Sequence, residues 1–432
     1  MKHCSPTCKW LASFVTTTLL TLSAWVLWDN WGRFIHSVDA VTMSATSDST
    51  DTITRGKYLA HIGGCVACHT AKGGDNLAGG RRIDTPFGAV FSSNLTSSKT
   101  NGLGDWTEND FASALSWGRS RSGRLLLPVF PYNHTSVFTP DDVHALFSWL
   151  QTVPAVEQAQ PTHQLTWPLG TQPVIAVWRS LFFSPSPFKA NPNESDAWNR
   201  GAYLVQSAGH CATCHGQRNA LGSFPAVDDV SGGFLSPQLW LAPSLTDATQ
   251  TTLSTGTLND TAHLLRTGQT QHAHASGPMA EFVQYSGQYL TSTDALAIAT
   301  YLKSNLKANS RTSTPSNGTL ATSSPAAQAL YKNHCASCHG DNGEGKPHIY
   351  PALASNPAVT LTQPDNLIQM ALYGGYGPST AGQPRPYGMP PYLFTLNNQQ
   401  IADVLNHIRS QWGNQAPAVS PMQVDRARAA HY

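Results

Sequence analysis

The chain is 432 residues long, with 26 Lys and Arg against 25 Asp and Glu and a formal net charge of +1. That near-balance argues against nucleic acid, or any strongly acidic surface, as the main partner. Only 12% of residues are charged, whereas Gly (34) and Pro (29) are plentiful, and the length suits several loop-rich domains better than one core.

In chain order the first feature is apolar. Lys2 and Lys9 precede Trp10 to Trp28, an uncharged run bordered by Trp25, Trp28 and Trp31. As a helix it would be about 28 Å long, enough for a bilayer core, so it is read as an uncleaved signal anchor or a long signal peptide. The only loosely suitable cleavage site is Val38-Asp39-Ala40. Cys4 and Cys8 precede the run and would stay reduced on the cytoplasmic side of an anchor. Residues 41–53, rich in Ser, Thr and Asp, read as a tether.

The next feature occurs three times: Cys65-Val66-Ala67-Cys68-His69, Cys211-Ala212-Thr213-Cys214-His215 and Cys335-Ala336-Ser337-Cys338-His339. C-x-x-C-H is the attachment signature of c-type haem, in which two thiols add to the vinyl groups and the His becomes an axial iron ligand. With 17 His in the chain, finding one after all three pairs by chance has odds on the order of 10⁻⁴. Zinc would need ligands converging from paired knuckles, and a redox dithiol a strand–helix context; neither is written here. Three covalent haem c groups are therefore expected, bound through Cys65 and Cys68, Cys211 and Cys214, and Cys335 and Cys338, with His69, His215 and His339 on the irons. Covalent haem attachment places these domains outside the cytoplasm.

Each motif has a similar frame. Arg55-Gly56-Lys57-Tyr58-Leu59 leads into the first and Arg200-Gly201-Ala202-Tyr203-Leu204 into the second, with a looser Ala329-Leu330-Tyr331-Lys332 before the third. Closing helices are expected after Thr139 as far as Leu150, after Ser292 or Thr293 as far as Leu306, and after Asn397 as far as Trp412, each with an apolar face. The expected fold is all-α: three tandem cytochrome c domains preceded by an N-terminal hydrophobic helix, with Gly/Pro-rich loops and no strands between the helices. The expected boundaries are 1–40 for the signal segment, 52–160 for domain one, 161–197 for an aromatic linker and 198–308 for domain two. A flexible linker over 309–325, domain three over 326–415 and a tail over 416–432 complete the chain.

A sixth ligand of Met opposite His raises the potential of an electron-transfer haem. Six Met are present, and two stand just before closing helices: Met279 in Gly277-Pro278-Met279-Ala280 and Met389 in Tyr387-Gly388-Met389-Pro390. They are assigned to the second and third haems. No Met occurs between residues 44 and 278, and the equivalent loop of domain one reads Leu127-Pro128-Val129-Phe130-Pro131-Tyr132. Haem one is expected to be five-coordinate or to take another side chain, His134 being the first candidate.

Further motifs carry a resemblance. They include Gly79-Gly80-Arg81, Thr85-Pro86-Phe87-Gly88, Ser93-Asn94-Leu95-Thr96 and Gly102-Leu103-Gly104-Asp105-Trp106, then Trp198-Asn199-Arg200-Gly201, Ala242-Pro243-Ser244-Leu245-Thr246 and Gly277-Pro278-Met279-Ala280-Glu281. With these the chain, from about 52 to 415, resembles the triheme cytochrome c subunit of membrane-bound alcohol and aldehyde dehydrogenases of acetic acid bacteria and their relatives. That family carries Met where Phe130 stands here.

The resemblance implies a catalytic dehydrogenase partner using pyrroloquinoline quinone, molybdenum or flavin. It also implies transfer of electrons to ubiquinone at the periplasmic side of the bacterial cytoplasmic membrane, and the short tail after Trp412 points to the aldehyde-linked branch. No nucleotide fingerprint, nucleophile–base pair or non-haem metal cluster suggests catalysis on an organic substrate. Two alternatives remain open: a self-contained, peroxidase-like haem enzyme using the Met-lacking first site, and the cytochrome subunit of a flavin-dependent sugar dehydrogenase.

Overall fold

The computed structural model describes residues 6–39, 49–223, 226–235, 239–251, 253–254, 256–271, 273–307 and 319–430. Cys4, most of the 41–53 tether and residues 309–318 of the second linker lie outside the described residues. The chain forms two compact units, one of Met1–Lys57, His69–Ile83 and Phe87–Phe188, the other of Tyr58–Cys68, Asp84–Pro86 and Lys189–Tyr432.

The all-α expectation is corrected. Helix accounts for 45% of the chain, and short antiparallel strands occupy the loops between helices. The strands Arg82–Thr85, Gly88–Phe91 and Gln164–Leu165 form one sheet in that order, with Gly88 opposite Leu165 and Ala89 opposite Gln164. Gly233–Leu235 pairs with Trp240–Ala242, and Gly375–Tyr376 with Gly388–Met389. The cause is local: Gly and Pro keep these segments out of helix, so their backbone N–H and C=O groups find partners across short ladders instead.

The N-terminal hydrophobic helix is corrected as well. Residues Pro6–Asp39 are helical, but no helix among the described residues is long and apolar enough to cross a membrane. Hydroxyl residues interrupt the run, and the Thr18 and Thr21 side chains donate to the carbonyls of Phe14 and Thr18. Its later turns are fastened into the first unit by polar groups. Asn30 donates to the Val26 and Ala176 carbonyls and to Ser180 Oγ, and Ser180 donates to Asp29.

In the first unit Gly56 lets its helix, Thr50–Ile62, press on the closing helix Pro140–Gln151. A Cβ at that position would lie 1.8 Å from the Ala145 carbonyl oxygen. Thr139 caps the closing helix by accepting from the Asp142 amide, and Arg55 reaches the fully buried Asp142 carboxylate at 2.5 Å. Within the aromatic linker, the helix Gln172–Phe182 brings Arg179 over the rings of Tyr132 and Phe183, 5.2 and 4.8 Å from their centroids.

The second unit repeats this frame. Gly201 of the helix Asp196–Gln206 meets the Ala297 carbonyl of the closing helix Ser292–Ser304, and Arg200 holds Asp294 through two bonds of 2.8 Å. Thr291 caps that closing helix, in place of the expected Ser292 or Thr293, because it stands three residues before Asp294. The third frame packs Pro325–His334 against Asn398–Ser410, capped by Asn397 and Gln400, with Tyr331, Ile401, Val404, Leu405 and Ile408 in its core. The segment beyond Trp412 forms a further short helix, Pro421–Ala429, which buries Val424 and Ala427.

Candidate haem-binding sites

Each C-x-x-C-H motif folds as one helical turn: Cys65–His69, Ala212–His215 and Ala336–His339, with Cys211 and Cys335 at the caps of the last two. Two cysteines spaced three apart on a turn lie on one face, and the His follows immediately. Among the described residues none of the six forms a disulfide. Burial pushes the first thiol of each pair up, to about 12 for Cys65 and Cys211 and about 11 for Cys335, and the second thiol of the pair adds to the shift. Thioether formation would remove these buried titratable groups altogether.

The imidazoles are held alike in all three sites. Nδ1 of His69 is 2.7 Å from the Ser93 carbonyl oxygen, Nδ1 of His215 is 2.8 Å from that of Pro243, and Nδ1 of His339 is 2.9 Å from that of Pro351. A carbonyl can only accept, so Nδ1 carries the proton and Nε2 is left with its lone pair, as an iron ligand requires. Burial lowers the pKa of all three rings, which favours the same neutral form.

The backbone repeats too. The carbonyls of His69, His215 and His339 accept from the amides of Gly79, Gly232 and Gly345 at 2.7, 2.6 and 2.8 Å. Each glycine has positive φ, at 78°, 93° and 67°. A Cβ there would fall 2.6 Å from the Asn94 amide nitrogen, 2.8 Å from that of Ser244 and 2.6 Å from that of Ala352. Those residues directly follow the carbonyls that hold the rings, so each glycine fixes the motif against its own ring-holding segment. One residue further on, Leu95, Leu245 and Leu353 donate their amides to Leu77, Val230 and Gly343.

Sequence reasoning missed these carbonyls and glycines. The signal available was the Leu two residues after each acceptor, in Ser93-Asn94-Leu95, Pro243-Ser244-Leu245 and Pro351-Ala352-Leu353.

The groups proposed from sequence for the opposite side of the iron sit in three different settings. Met279 is in the first turn of the helix Gly277–Tyr285, behind Gly277, whose φ is 52° and which lies against the Trp240 ring. Met389 is on the short strand Gly388–Met389 and faces Gly375 in the ladder. Met370 of the helix Asp365–Tyr373 also stands beside Gly375. In the first unit Phe130 occupies a tight turn, its carbonyl accepting from the Tyr132 amide, and His134 follows on the turn Tyr132–Thr135 with no exposed surface.

Inside the second unit the segment before Cys65 packs on the segment around Cys211. His210 Nε2 lies 3.3 Å from the Gly63 carbonyl oxygen, and the His61 and Tyr289 rings stack at 4.2 Å. Tyr58 donates to Asp294 at 2.5 Å. Burial raises the Cys214 thiol, Arg218 pulls it down, and Cys68 stands close enough to push it up. Paired cysteines outside any disulfide, oriented neutral imidazoles and the glycines beside them fit covalent haem c.

The cytochrome c family matches residues 199–305 and 325–412, which contain the second and third motifs. The chain is 35% identical to the cytochrome c subunit of alcohol dehydrogenase (quinone) from Gluconacetobacter polyoxogenes, over 88% of this chain and 84% of the relative. This chain belongs to that family of dehydrogenase cytochrome c subunits. It is also 35% identical to the gluconate 2-dehydrogenase cytochrome c subunit of Pantoea cypripedii, over 88% of this chain and 91% of the relative. The fructose dehydrogenase cytochrome subunit of Gluconobacter japonicus is 34% identical, over 87% and 82%. Family membership makes covalently bound haem c the cofactor and electron transfer within an oxidoreductase complex the role. The relatives' names differ in substrate while the cytochrome subunit stays the same.

Proposed function

We propose that this chain accepts electrons from a catalytic dehydrogenase subunit and passes them to ubiquinone at the periplasmic face of the bacterial cytoplasmic membrane. The observation that carries this reading is the ring-to-carbonyl bond made in the same way by His69, His215 and His339. Three covalently attached haem c groups would supply the one-electron chemistry. The six motif cysteines would hold them, and the three imidazoles would present Nε2 to the irons.

Met279 and Met389 would be the opposite ligands of the second and third irons, and His134 that of the first. The full burial of His134 supports its part, and the packing of residues 58–68 on the second motif supports passage between neighbouring sites. Exposed Trp10, Phe14, Leu20, Leu27 and Trp28 on the helix Pro6–Asp39 support work at a membrane surface.

For the donor we favour a dehydrogenase of the alcohol or aldehyde type, a reading that the alcohol dehydrogenase (quinone) relatives support. The gluconate and fructose relatives favour a second reading, a flavin-type sugar or sugar-acid dehydrogenase. The test is anaerobic spectroscopy of the complex purified from its native membranes in mild detergent. Bleaching or growth of the haem α-band is followed after adding ethanol, acetaldehyde, gluconate or fructose, and then a short-chain ubiquinone. Reduction by acetaldehyde alone identifies the aldehyde branch, and reduction by gluconate or fructose the second reading. Reduced haems that ubiquinone fails to reoxidise overturn the acceptor assignment.

A further inference from the structure

The segment that leads into the first motif lies against the second motif, wholly inside the second unit. Tyr58 and His61 stand three apart on the helix Thr50–Ile62, so they share a face. Tyr58 donates to Asp294 at 2.5 Å, and the His61 ring stacks on Tyr289 at 4.2 Å. Further along, a Cβ on Gly64 would lie 3.3 Å from Ser286 Oγ, and His210 Nε2 lies 3.3 Å from the Gly63 carbonyl oxygen. The last of these contacts is made at a cost.

His210 directly precedes Cys211 and has φ 32°, in the left-handed region that residues other than glycine rarely adopt. The equivalent residue before Cys65 is Gly64, with φ 64°, which takes that conformation freely. Before Cys335 the equivalent His334 still belongs to its helix, Pro325–His334. At the second motif, then, a backbone that asks for glycine carries an imidazole instead. Its backbone is pinned on both sides: the amides of Gly209, His210 and Cys211 donate to the carbonyls of Leu204, Ser207 and Val205 at 2.7, 3.0 and 3.1 Å.

What the strained residue gains is a directional bond. A carbonyl only accepts, so His210 Nε2 carries the proton, and burial lowers the pKa of the ring and favours its neutral form. The bond ties the turn that holds Cys211 and Cys214 to the glycines that start the turn of Cys65 and Cys68.

The far cysteines of the two turns face a common space. Cys68 is exposed and Cys214 half-buried, so both have open surface at which a porphyrin edge can sit. Cys68 also stands near enough to Cys214 to act on its charge. Thioethers at these two sulfurs would bring two haem edges to one place.

We propose that His210 is a positioning residue for electron transfer: its bond to Gly63 holds the Cys68 and Cys214 edges together, and electrons cross between the first and second haems there. This rests on the reading that both motifs carry haem, which mass spectrometry of the haem peptides tests separately. An unmodified first or second motif in the unaltered protein would fail that reading first. The transfer moves one electron from a ferrous to a ferric iron, with no bond made or broken and no proton moved.

The experiment uses the full-length holoprotein with His210→Gly and His210→Gln. Glycine keeps the left-handed backbone and loses the bond, whereas glutamine keeps an N–H donor of similar reach. Electron paramagnetic resonance of the oxidised protein reads the magnetic coupling between the first and second irons, the second being marked by Met279→His in a parallel set. Flash photoreduction reads the rate of electron exchange between them. The expected result in His210→Gly is weaker coupling and slower exchange, with the third haem unchanged and recovery of both quantities in His210→Gln. Three bound haems with coupling and rate as in the parent overturn the proposal, as does an equal loss in His210→Gln. If His210→Gly fails to retain haem, the oxidised parent decides. First and second irons that are magnetically coupled support the proposal, and irons that relax independently overturn it.

Discussion

In the first site His69 reaches a carbonyl 24 residues further along the chain, in the second His215 reaches one 28 residues on, and in the third His339 reaches one only 12 residues on. The loops differ in length, yet they deliver the same acceptor, the same left-handed glycine and the same leucine amide. The side chains proposed for the other side of each site show no such constancy. Met279 starts a helix, Met389 lies on a two-residue strand, and the first loop offers Phe130 and a buried His134. The difference teaches that orienting the imidazole is a backbone task that tolerates loop variation. The opposite ligand is a single side chain, free to change and with it the potential of the site.

The largest effects are expected where that contrast is broken directly. Met279→Ala and Met389→Ala should each abolish one near-infrared Met–iron band and lower one midpoint potential strongly, as read by potentiometry on the purified protein. Phe130→Met should act in the opposite direction on the first haem, adding such a band and raising its potential. His134→Ala should convert the first haem to high spin in the electron paramagnetic resonance spectrum. If the unaltered first haem already shows the Met–iron band, the assignment of its loop is wrong.

On the constant side, Gly232→Ala forces a Cβ to 2.8 Å from the Ser244 amide at φ 93°. It should cost about 2 kcal/mol in chemical denaturation and loosen the second haem. Gly79→Ala and Gly345→Ala should cost similar amounts, and unequal losses would show that the three backbones are less equivalent than their geometry. In the surrounding frame Arg200→Leu strands an Asp294 carboxylate that also receives Tyr58, and about 2 kcal/mol should be lost. Arg55 is half-exposed, and Arg55→Leu should cost less.

The smallest effect concerns acid. His407 of the third frame is buried, bonded through Nδ1 to Ser323 and set against Tyr331 and Trp412, and burial holds its pKa below the ordinary value. The unfolded chain takes up this proton near pH 6.5 and the folded one only at lower pH. The contribution of His407 is therefore complete above about pH 6.5 and falls as the pH drops toward the folded value. Thermal melting should decline by a few degrees over that window, and His407→Gln should flatten the decline.

The shared turn of thiols and imidazole was legible because these residues are adjacent in sequence, and Thr139 and Asn397 were legible because a cap is a local bond. Thr291 was missed because hydroxyls fill positions 291 to 293 and only the distance to Asp294 selects among them. The strands escaped because two to four residues are too few to show a period of two. The apolar run from Trp10 to Trp28 gave the clearest miss. Composition favours a membrane span there, but Asn30 and Asp29 just beyond it are used to fasten the helix to Ala176 and Ser180.

The burial of Cys65 and Cys211 has a consequence for biogenesis. A thiol pushed up to about 12 is protonated at neutral pH and so a weak nucleophile in the folded chain. Thioether formation would therefore be easier on a chain whose helices have not yet closed over these cysteines.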